Sequence, residues 1–147
     1  MALLVGMNWL IWAGLSAVFA GATAVLAKVG VAGVNSHIAT AIRTTVVLVF
    51  AWSLAWLTAP SAVRGMGALS GRTWWFLALS GVATGLSWVC YFRALQLGEA
   101  SRVAPVDKLS VVFVLVFAAL FLGESLTWRT GLGGALITAG AVVLALK

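Results

Sequence analysis

Three charged residues lie inside long apolar stretches of this sequence, where a charge is energetically unfavourable. Arg43 follows His37 by six residues, and Asp107 and Lys108 come shortly after Pro105. A charge inside hydrocarbon costs about 2.5 to 3.5 kcal/mol even on a lenient insertion scale, so it normally faces the protein interior, a partner or water. We therefore take these three residues as candidates for binding a solute. The two cations favour an anionic or zwitterionic one.

Arg43 and Asp107 are expected at similar depth. At 1.5 Å per helical residue, Arg43 lies roughly 8 to 9 Å beyond His37, and Asp107 roughly 7 to 8 Å beyond Arg102. In one arrangement Arg43 and Asp107 form a buried ion pair, and three long cations extend to the surface, namely Lys28, Arg93 and Lys108. In the other, the charges line a hydrated cavity, and both can hold together. Asp107 and Lys108 project about 100° apart on a helix, so we expect one to serve the site and the other a neighbouring helix.

A polar stripe is predicted on a third apolar stretch. Ser80, Thr84, Ser87, Trp88 and Tyr91 recur at intervals of three and four, which places them on one helix face. This stripe leads toward the charged layer, so Thr84, Trp88 and Tyr91 join the candidate binding residues. The alternative for Trp88 and Tyr91 is ordinary core packing with a hydrogen bond inside the bundle.

Other chemistries find little support in the sequence. Cys90 is the single cysteine and His37 the single histidine, and the three acids stand in separate places at Glu99, Asp107 and Glu124. No catalytic triad or cluster of metal ligands follows from this pattern, so we expect neither an enzyme nor a bound metal or cofactor. The basic residues are scattered singly, which argues against nucleic-acid binding.

The composition indicates that the segments carrying these residues lie in a lipid bilayer. Hydrophobic residues make up 63% of the chain and charged residues only 8%, whereas a soluble domain is about one quarter charged. The chain is therefore predicted to be an all-α, multi-pass membrane protein with a single domain over residues 1–147. Five stretches are long enough to cross the roughly 30 Å of hydrocarbon. They cover residues 8–27, 38–58, 74–93, 103–122 and 128–146.

Tryptophan supports this register, because indoles collect at the membrane interface. With five crossings, one face, here called the tryptophan side, receives Trp9, Trp12, Trp52, Trp56, Trp74, Trp75 and Trp128. The opposite, charged side receives Lys28, His37, Arg43, Arg93, Arg102, Asp107, Lys108 and Lys147.

Pro105 predicts a loose turn or kink in residues 100–105. Gly81 and Gly85 are expected to allow close helix contact.

An odd number of crossings places the two termini on opposite sides of the membrane. A second copy, inserted in the opposite direction, would supply the inverted repeat that is common in secondary transporters. The Lys and Arg bias between the two sides is small, which permits insertion in both orientations. We therefore expect an antiparallel homodimer.

Several segments resemble the EamA-type unit of the drug/metabolite transporter superfamily. The matching segments are 27–30, 41–44, 91–101, Pro105, Phe-Leu-Gly-Glu-Ser-Leu-Thr at 121–127, and the helix at 131–146. The resemblance implies a transporter of small metabolites, built from two inverted five-helix halves in a cell membrane, with the bacterial inner membrane expected. Glu124 matches the family glutamate, which we interpret as structural. Asp107 and Lys108 depart from the family pattern after the proline, so the family does not specify the substrate.

Two functions are carried forward from the sequence. The first is a secondary transporter or exporter of small anionic or zwitterionic metabolites, which works as a dimer by alternating access. The second is a membrane subunit that transports nothing and scaffolds or regulates a partner protein. Neutralising Arg43, Asp107 and Lys108 separates them, because a transporter should lose uptake while a scaffold should tolerate the changes or fall apart.

Overall fold

The computed structural model describes residues 8–146, so Lys147, which was assigned to the charged side, lies outside the described part. Within this range the chain is helical and contains no strand. The helices are α1 (Trp9–Gly30), α2 (Ser36–Thr58), α3 (Pro60–Arg64), α4 (Gly71–Leu97), α5 (Ala100–Asp107), α6 (Ser110–Phe121) and α7 (Trp128–Ala145). Five helical stretches are long and apolar enough to cross a membrane: α1, α2, α4, α5 together with α6, and α7. The predicted all-α fold with five spanning helices is confirmed.

The connection between α2 and α4 contains more structure than the glycine-rich break that the sequence suggests. Pro60 opens α3 at its first helical position, where the missing N–H of proline costs nothing and its fixed φ favours the helix. A 3-10 turn at Met66–Ala68 follows. The helix expected over 74–93 begins earlier, at Gly71, and continues to Leu97.

The connection between α1 and α2 is a short capped turn. Gly33 adopts a positive φ of 73°, a conformation that is costly for residues with a Cβ. Asn35 then precedes α2, and its side chain accepts a hydrogen bond from the backbone N–H of His37. Asparagine is among the preferred residues at this position, because it satisfies an N–H that has no partner inside the helix.

The fourth span is interrupted, but later than Pro105 suggests. Glu99 accepts the first backbone bonds of α5, and α5 runs through Pro105 to Asp107. The break falls at Lys108 and Leu109. Around it, backbone bonds shorten to three-residue spacing, with Leu109 bonded to Val106 and Val111 bonded to Lys108. Tightened turns of this kind are common where an α-helix ends or is interrupted.

The chain divides into two compact units. The terminal unit combines the segment up to Val29 with the segment from Leu97 onward. In it, α7 packs against α5 and α6. A Cβ on Gly134 would lie 3.0 Å from Leu115 Cδ1, so glycine allows this close approach. Ala118 and Ala141 are buried in the same unit.

The central unit spans Gly30–Gln96 and carries α2, α3 and most of α4. Several of its buried residues lie in the turn before α2, the first turns of α2 and the last turns of α4: Val31, Ser36, Thr40, Phe92 and Leu95. The hydroxyl of Thr40 donates to the carbonyl of Ser36 at 2.8 Å, so burying this polar side chain leaves no donor unmet. The tight packing of this unit is therefore concentrated near the charged side.

Most of the remaining helix surface is not covered by the chain itself. In the most apolar 18-residue stretch of each span, only 6% of the residues are buried in four of the spans, and 11% in α7. A Cβ on Gly81 or Gly85 would meet nothing within 4 Å, so the close contact expected of these glycines is not made within the central unit. Lipid or a second polypeptide must cover these faces.

Gly123 ends α6 and starts the turn into α7. Its φ is +69°, and the turn lets the N–H of Glu124 reach back to the carbonyl of Ala118 at 3.2 Å. The left-handed conformation costs a residue with a Cβ about 1 to 2 kcal/mol. The glycine of the Phe-Leu-Gly-Glu segment is thus explained by backbone geometry, and the Glu124 side chain is exposed.

We predict that Gly123→Ala lowers the free energy of unfolding by about 1 to 2 kcal/mol, because alanine cannot adopt this φ without strain. Gly71→Ala serves as the control, since Gly71 has no positive φ and an added Cβ would meet nothing within 4 Å. Thermal unfolding of the purified protein in detergent, followed by circular dichroism, measures both. Equal stability of the two variants would contradict the role of the turn.

Candidate functional site

Arg43 lies inside a membrane span and is stacked on aromatic rings. It is seven residues into α2, roughly 10 Å from the start of that helix. Its Cζ atom lies 4.3 Å from the ring centroid of Trp88 and 5.3 Å from that of Phe92. The side chain is half-buried. A guanidinium over an aromatic face gains about 0.5 to 2 kcal/mol from the ring quadrupole, and more where water is excluded.

The helical period of α4 explains why these rings meet one side chain. Trp88, Tyr91 and Phe92 are separated by three and four residues, so they project from one face of the helix. Tyr91 is partly buried and interacts electrostatically with Arg43. Of the predicted binding residues, the structure therefore brings together Arg43, Trp88 and Tyr91. It adds Phe92, which is only 2% exposed.

The central unit contains no carboxylate that could neutralise Arg43. Between Gly30 and Gln96 the sequence has no aspartate or glutamate, although it has four arginines and His37. The other arginines stand nearer the ends of the spans, at Arg64, Arg72 and Arg93. Within this unit, the charge of Arg43 is therefore compensated by aromatic side chains and by no anion.

Hydroxyl groups of α2 form a ladder on the same part of the helix. Thr40 donates to Ser36, Thr44 donates to the carbonyl of Thr40 at 2.8 Å, and Thr45 donates to that of Ala41 at 3.1 Å. Each hydroxyl uses its proton on its own helix and keeps its oxygen lone pairs as acceptors. This satisfies the donors without requiring a partner helix.

Thr84 behaves in the same way on α4. Its hydroxyl donates to the carbonyl of Ser80 at 2.9 Å, and the side chain is exposed. It lies one turn before Trp88 on the same helix face, as the spacing requires. A role for Thr84 in binding stays a prediction.

Asp107 and Lys108 lie in the terminal unit, where α5 ends. Their side chains pair with each other, with 3.3 Å between Lys108 Nζ and Asp107 Oδ2. Both are partly exposed, Asp107 at 37% and Lys108 at 56%. We expected the two neighbours to project about 100° apart, but the Lys108 ammonium lies within hydrogen-bonding distance of the Asp107 carboxylate. An exposed pair of this kind contributes about 0 to 1 kcal/mol, so both groups remain available to another partner.

Two further side chains, one in each unit, donate hydrogen bonds to carbonyl groups where helices end. Lys28, which one of the two arrangements considered from the sequence placed at the surface, is half-buried and donates from Nζ to the carbonyl of Gly98 at 2.7 Å. Gln96 donates from Nε2 to the carbonyl of Val34 at 2.6 Å and to that of Val31 at 3.3 Å. Arg93 in turn donates to Gln96 Oε1 at 3.2 Å.

Gln96 was not singled out from the sequence. Carbonyl groups in a turn lie outside the hydrogen-bond ladder of a helix and need other donors, and Val31 and Val34 lie in the turn between α1 and α2. A glutamine that ends an apolar span could have been suspected of this role, but its distance of more than 60 residues from the turn gives no local signal. His37 is exposed, and residues 8–146 hold no group of three possible metal ligands.

Comparison with known proteins adds independent information. The EamA-like transporter family matches residues 7–146 of the chain. A protein from Sinorhizobium sp., named "Uncharacterized transporter in cobO 3'region", is 55% identical over 138 residues. That match covers 94% of this chain and 96% of the relative. No solved structure is significantly similar to the chain.

We predict that Gln96→Ala lowers the free energy of unfolding by about 0.5 to 1.5 kcal/mol, because the carbonyl of Val34 loses its side-chain donor and that of Val31 keeps only the backbone N–H of Val34. Gln96→Glu should be at least as damaging, since a carboxylate cannot donate to Val31 and Val34 although it can still accept from Arg93. The exposed Thr84→Val is the control, because that hydroxyl bonds only within its own helix. Thermal unfolding in detergent ranks the three variants. A glutamate variant as stable as the parent would show that the donor role is unimportant.

Proposed function

Because the chain belongs to the EamA-like transporter family, we propose that it is one five-helix half of a secondary transporter of small anionic or zwitterionic metabolites. Two copies assemble antiparallel and expose a shared path to each side in turn. The chain is a multi-pass membrane protein. The relative from Sinorhizobium fits a place in the bacterial inner membrane.

The proposal that the substrate carries a negative charge depends on Arg43. Its guanidinium lies within a span, is only half-buried and has no carboxylate in its own unit. A charge held at this depth is costly and is normally kept for function. The aromatic rings stabilise it, but they leave its formal charge unneutralised. An anionic solute supplies the missing charge when it binds.

The interrupted fourth span supports a second contact with the solute or a coupling ion. Discontinuous helices mark the binding sites of many transporters, because broken helices expose backbone groups at membrane depth. Here the break, at Lys108 and Leu109, begins directly after Asp107, so charge of both signs stands at the interruption. We propose that this pair serves binding together with Arg43, Thr84, Trp88 and Tyr91.

Three features support assembly of two copies. Five crossings give a single copy no internal inverted repeat, which an alternating path requires. The Sinorhizobium relative matches almost end to end, so a protein whose name describes it as a transporter also has the length of one five-helix unit. Glycines on α4 and α7 are open to a close neighbour, since a Cβ on Gly81, Gly85, Gly133 or Gly140 would meet nothing within 4 Å.

We predict that proteoliposomes containing the protein exchange labelled for unlabelled solute across the membrane, tested with a panel of amino acids and organic anions. Exchange is the signature of a carrier, and it requires no knowledge of the coupling ion. Arg43→Ala should abolish exchange, and Asp107→Asn or Lys108→Ala should reduce it about tenfold or more. Each must still insert and assemble.

Glu124→Gln is the control, because Glu124 is exposed in the turn after α6 and is not part of the proposed site. It should exchange solute at the parent rate. If all three site variants exchanged solute as well as this control, the proposed binding residues would be wrong. If the parent protein exchanged none of the panel while Arg43→Ala still supported assembly, a scaffolding subunit would be the better interpretation.

We further predict that both orientations occur in one membrane. Cysteines placed singly at Ala32 and Ala62, in a Cys90→Ser background, occupy exposed positions in the α1–α2 turn and in α3. An impermeant thiol reagent should label each position from both sides of the membrane. Labelling of each position from only one side would exclude the antiparallel homodimer.

A further inference from the structure

The guanidinium of Arg43 has two faces and an edge, and they meet different surroundings. The rings of Trp88 and Phe92 interact with the planar group at 4.3 and 5.3 Å from Cζ to the ring centroids. The edge carries five N–H donors. No residue between 30 and 96 accepts a hydrogen bond from it. Within the central unit these five donors have no acceptor, which favours a ligand that offers two acceptor oxygens in one plane.

A carboxylate has that geometry, because its two oxygens accept two parallel N–H bonds from one guanidinium. Charge distinguishes it from a phosphate ester. Arg43 is the one cation well inside a span of the central unit, and a single carboxylate neutralises it. A dianionic phosphate would leave one negative charge uncompensated inside the span, where an unpaired charge is expensive.

We propose that Arg43, Trp88 and Phe92 form a site for one carboxylate group, so that the transported solutes are small monocarboxylates, among them zwitterionic amino acids. For its part in transport this inference depends on the proposed function. Arg43 binds the carboxylate with its edge. Trp88 and Phe92 are positioning residues that hold the guanidinium plane and stabilise its charge while the site is empty.

The aromatic contacts also explain why the site can release its ligand. Cation–π contacts stabilise an unoccupied arginine less than a charge-assisted pair does. The empty state therefore remains accessible. An intramolecular carboxylate in the same place would compete with the solute, and the central unit contains none.

Binding to the purified protein tests the site without transport. The probes are benzoate, the neutral benzamide, and phenyl phosphate, which is mainly dianionic near neutral pH. Calorimetric titration should show benzoate binding about tenfold more tightly than phenyl phosphate, with benzamide weaker still. Benzoate should also change the fluorescence of the parent protein, because Trp88 is stacked on the guanidinium that binds it.

Variants assign the roles. Arg43→Ala should weaken benzoate binding by about 30-fold or more, and Arg43→Lys by about tenfold, because an ammonium cannot form the planar double bond to a carboxylate. Trp88→Ala should weaken it about fivefold. Trp88→Phe, which keeps an aromatic face, should stay near the parent affinity while losing the fluorescence change.

Arg72→Lys is the matched control, since Arg72 also stacks on a ring of α4, with Cζ 5.7 Å from the Phe76 centroid. It should bind benzoate as the parent does. The carboxylate site is overturned if phenyl phosphate binds as tightly as benzoate, if Arg43→Lys binds as well as Arg72→Lys, or if the parent binds none of the probes.

Failure of the site and failure of the transporter are distinguishable. If benzoate binding depended on Arg43 but no solute of the exchange panel crossed the membrane, the carboxylate site would be supported and the proposed transport function would be contradicted. If solute exchange were robust but insensitive to Arg43→Lys, the protein would be a carrier and the carboxylate site would be wrong. Competition by lipid phosphate equal to that by benzoate would likewise overturn the carboxylate site.

Discussion

A positive charge in a low-dielectric layer must be compensated, and this requirement organises the central unit. Arg43 stands inside α2, and no acidic residue is available between Gly30 and Gln96. The compensation comes from the rings of Trp88 and Phe92 at the end of α4. These same turns of α4 carry Leu95, which is fully buried. The packed core and the charged site therefore share one set of residues, and the packing fixes the rings that hold the guanidinium.

The bilayer imposes the same requirement on the backbone, because unbonded N–H and C=O groups are costly near hydrocarbon. The turns of this protein satisfy them with specific residues. Gln96 donates to the carbonyls of Val31 and Val34, and Lys28 donates to that of Gly98. Gly123 adopts the left-handed conformation that returns the next N–H to α6. Several side chains that look like surface polar residues in the sequence thus act as caps.

The outer faces of the spans follow a different rule. Phe113, Phe117 and Phe121 form a row of exposed rings along α6, as expected where lipid is the solvent. The open glycines on α4 and α7 are suited to close approach of another helix, since such packing in a membrane depends on small residues. Little apolar surface is buried by the chain itself, which leaves these outer faces to the apolar surroundings of the membrane.

The number of membrane spans and the fold class of this protein could be predicted from its sequence alone. The five spans and the all-α fold follow from hydropathy, because the cost of placing a residue in a bilayer is nearly additive along the chain. The helical period also placed Trp88 and Tyr91 on one face of α4. Helix ends were harder, since α4 extends beyond the predicted 74–93 at both ends. The break in the fourth span falls at Lys108 and Leu109, after the region that Pro105 indicates.

Only the tertiary structure decided which side chains meet. The stacking of Arg43 on Trp88 and Phe92 depends on how α2 and α4 are rotated about their axes, and a single sequence does not encode that rotation locally. The bonds from Gln96 to a turn more than 60 residues away, and from Lys28 to Gly98, depend on packing in the same way. Hydropathy fixes how deep a residue lies in the membrane, whereas side-chain packing fixes the direction in which it points and therefore its partner.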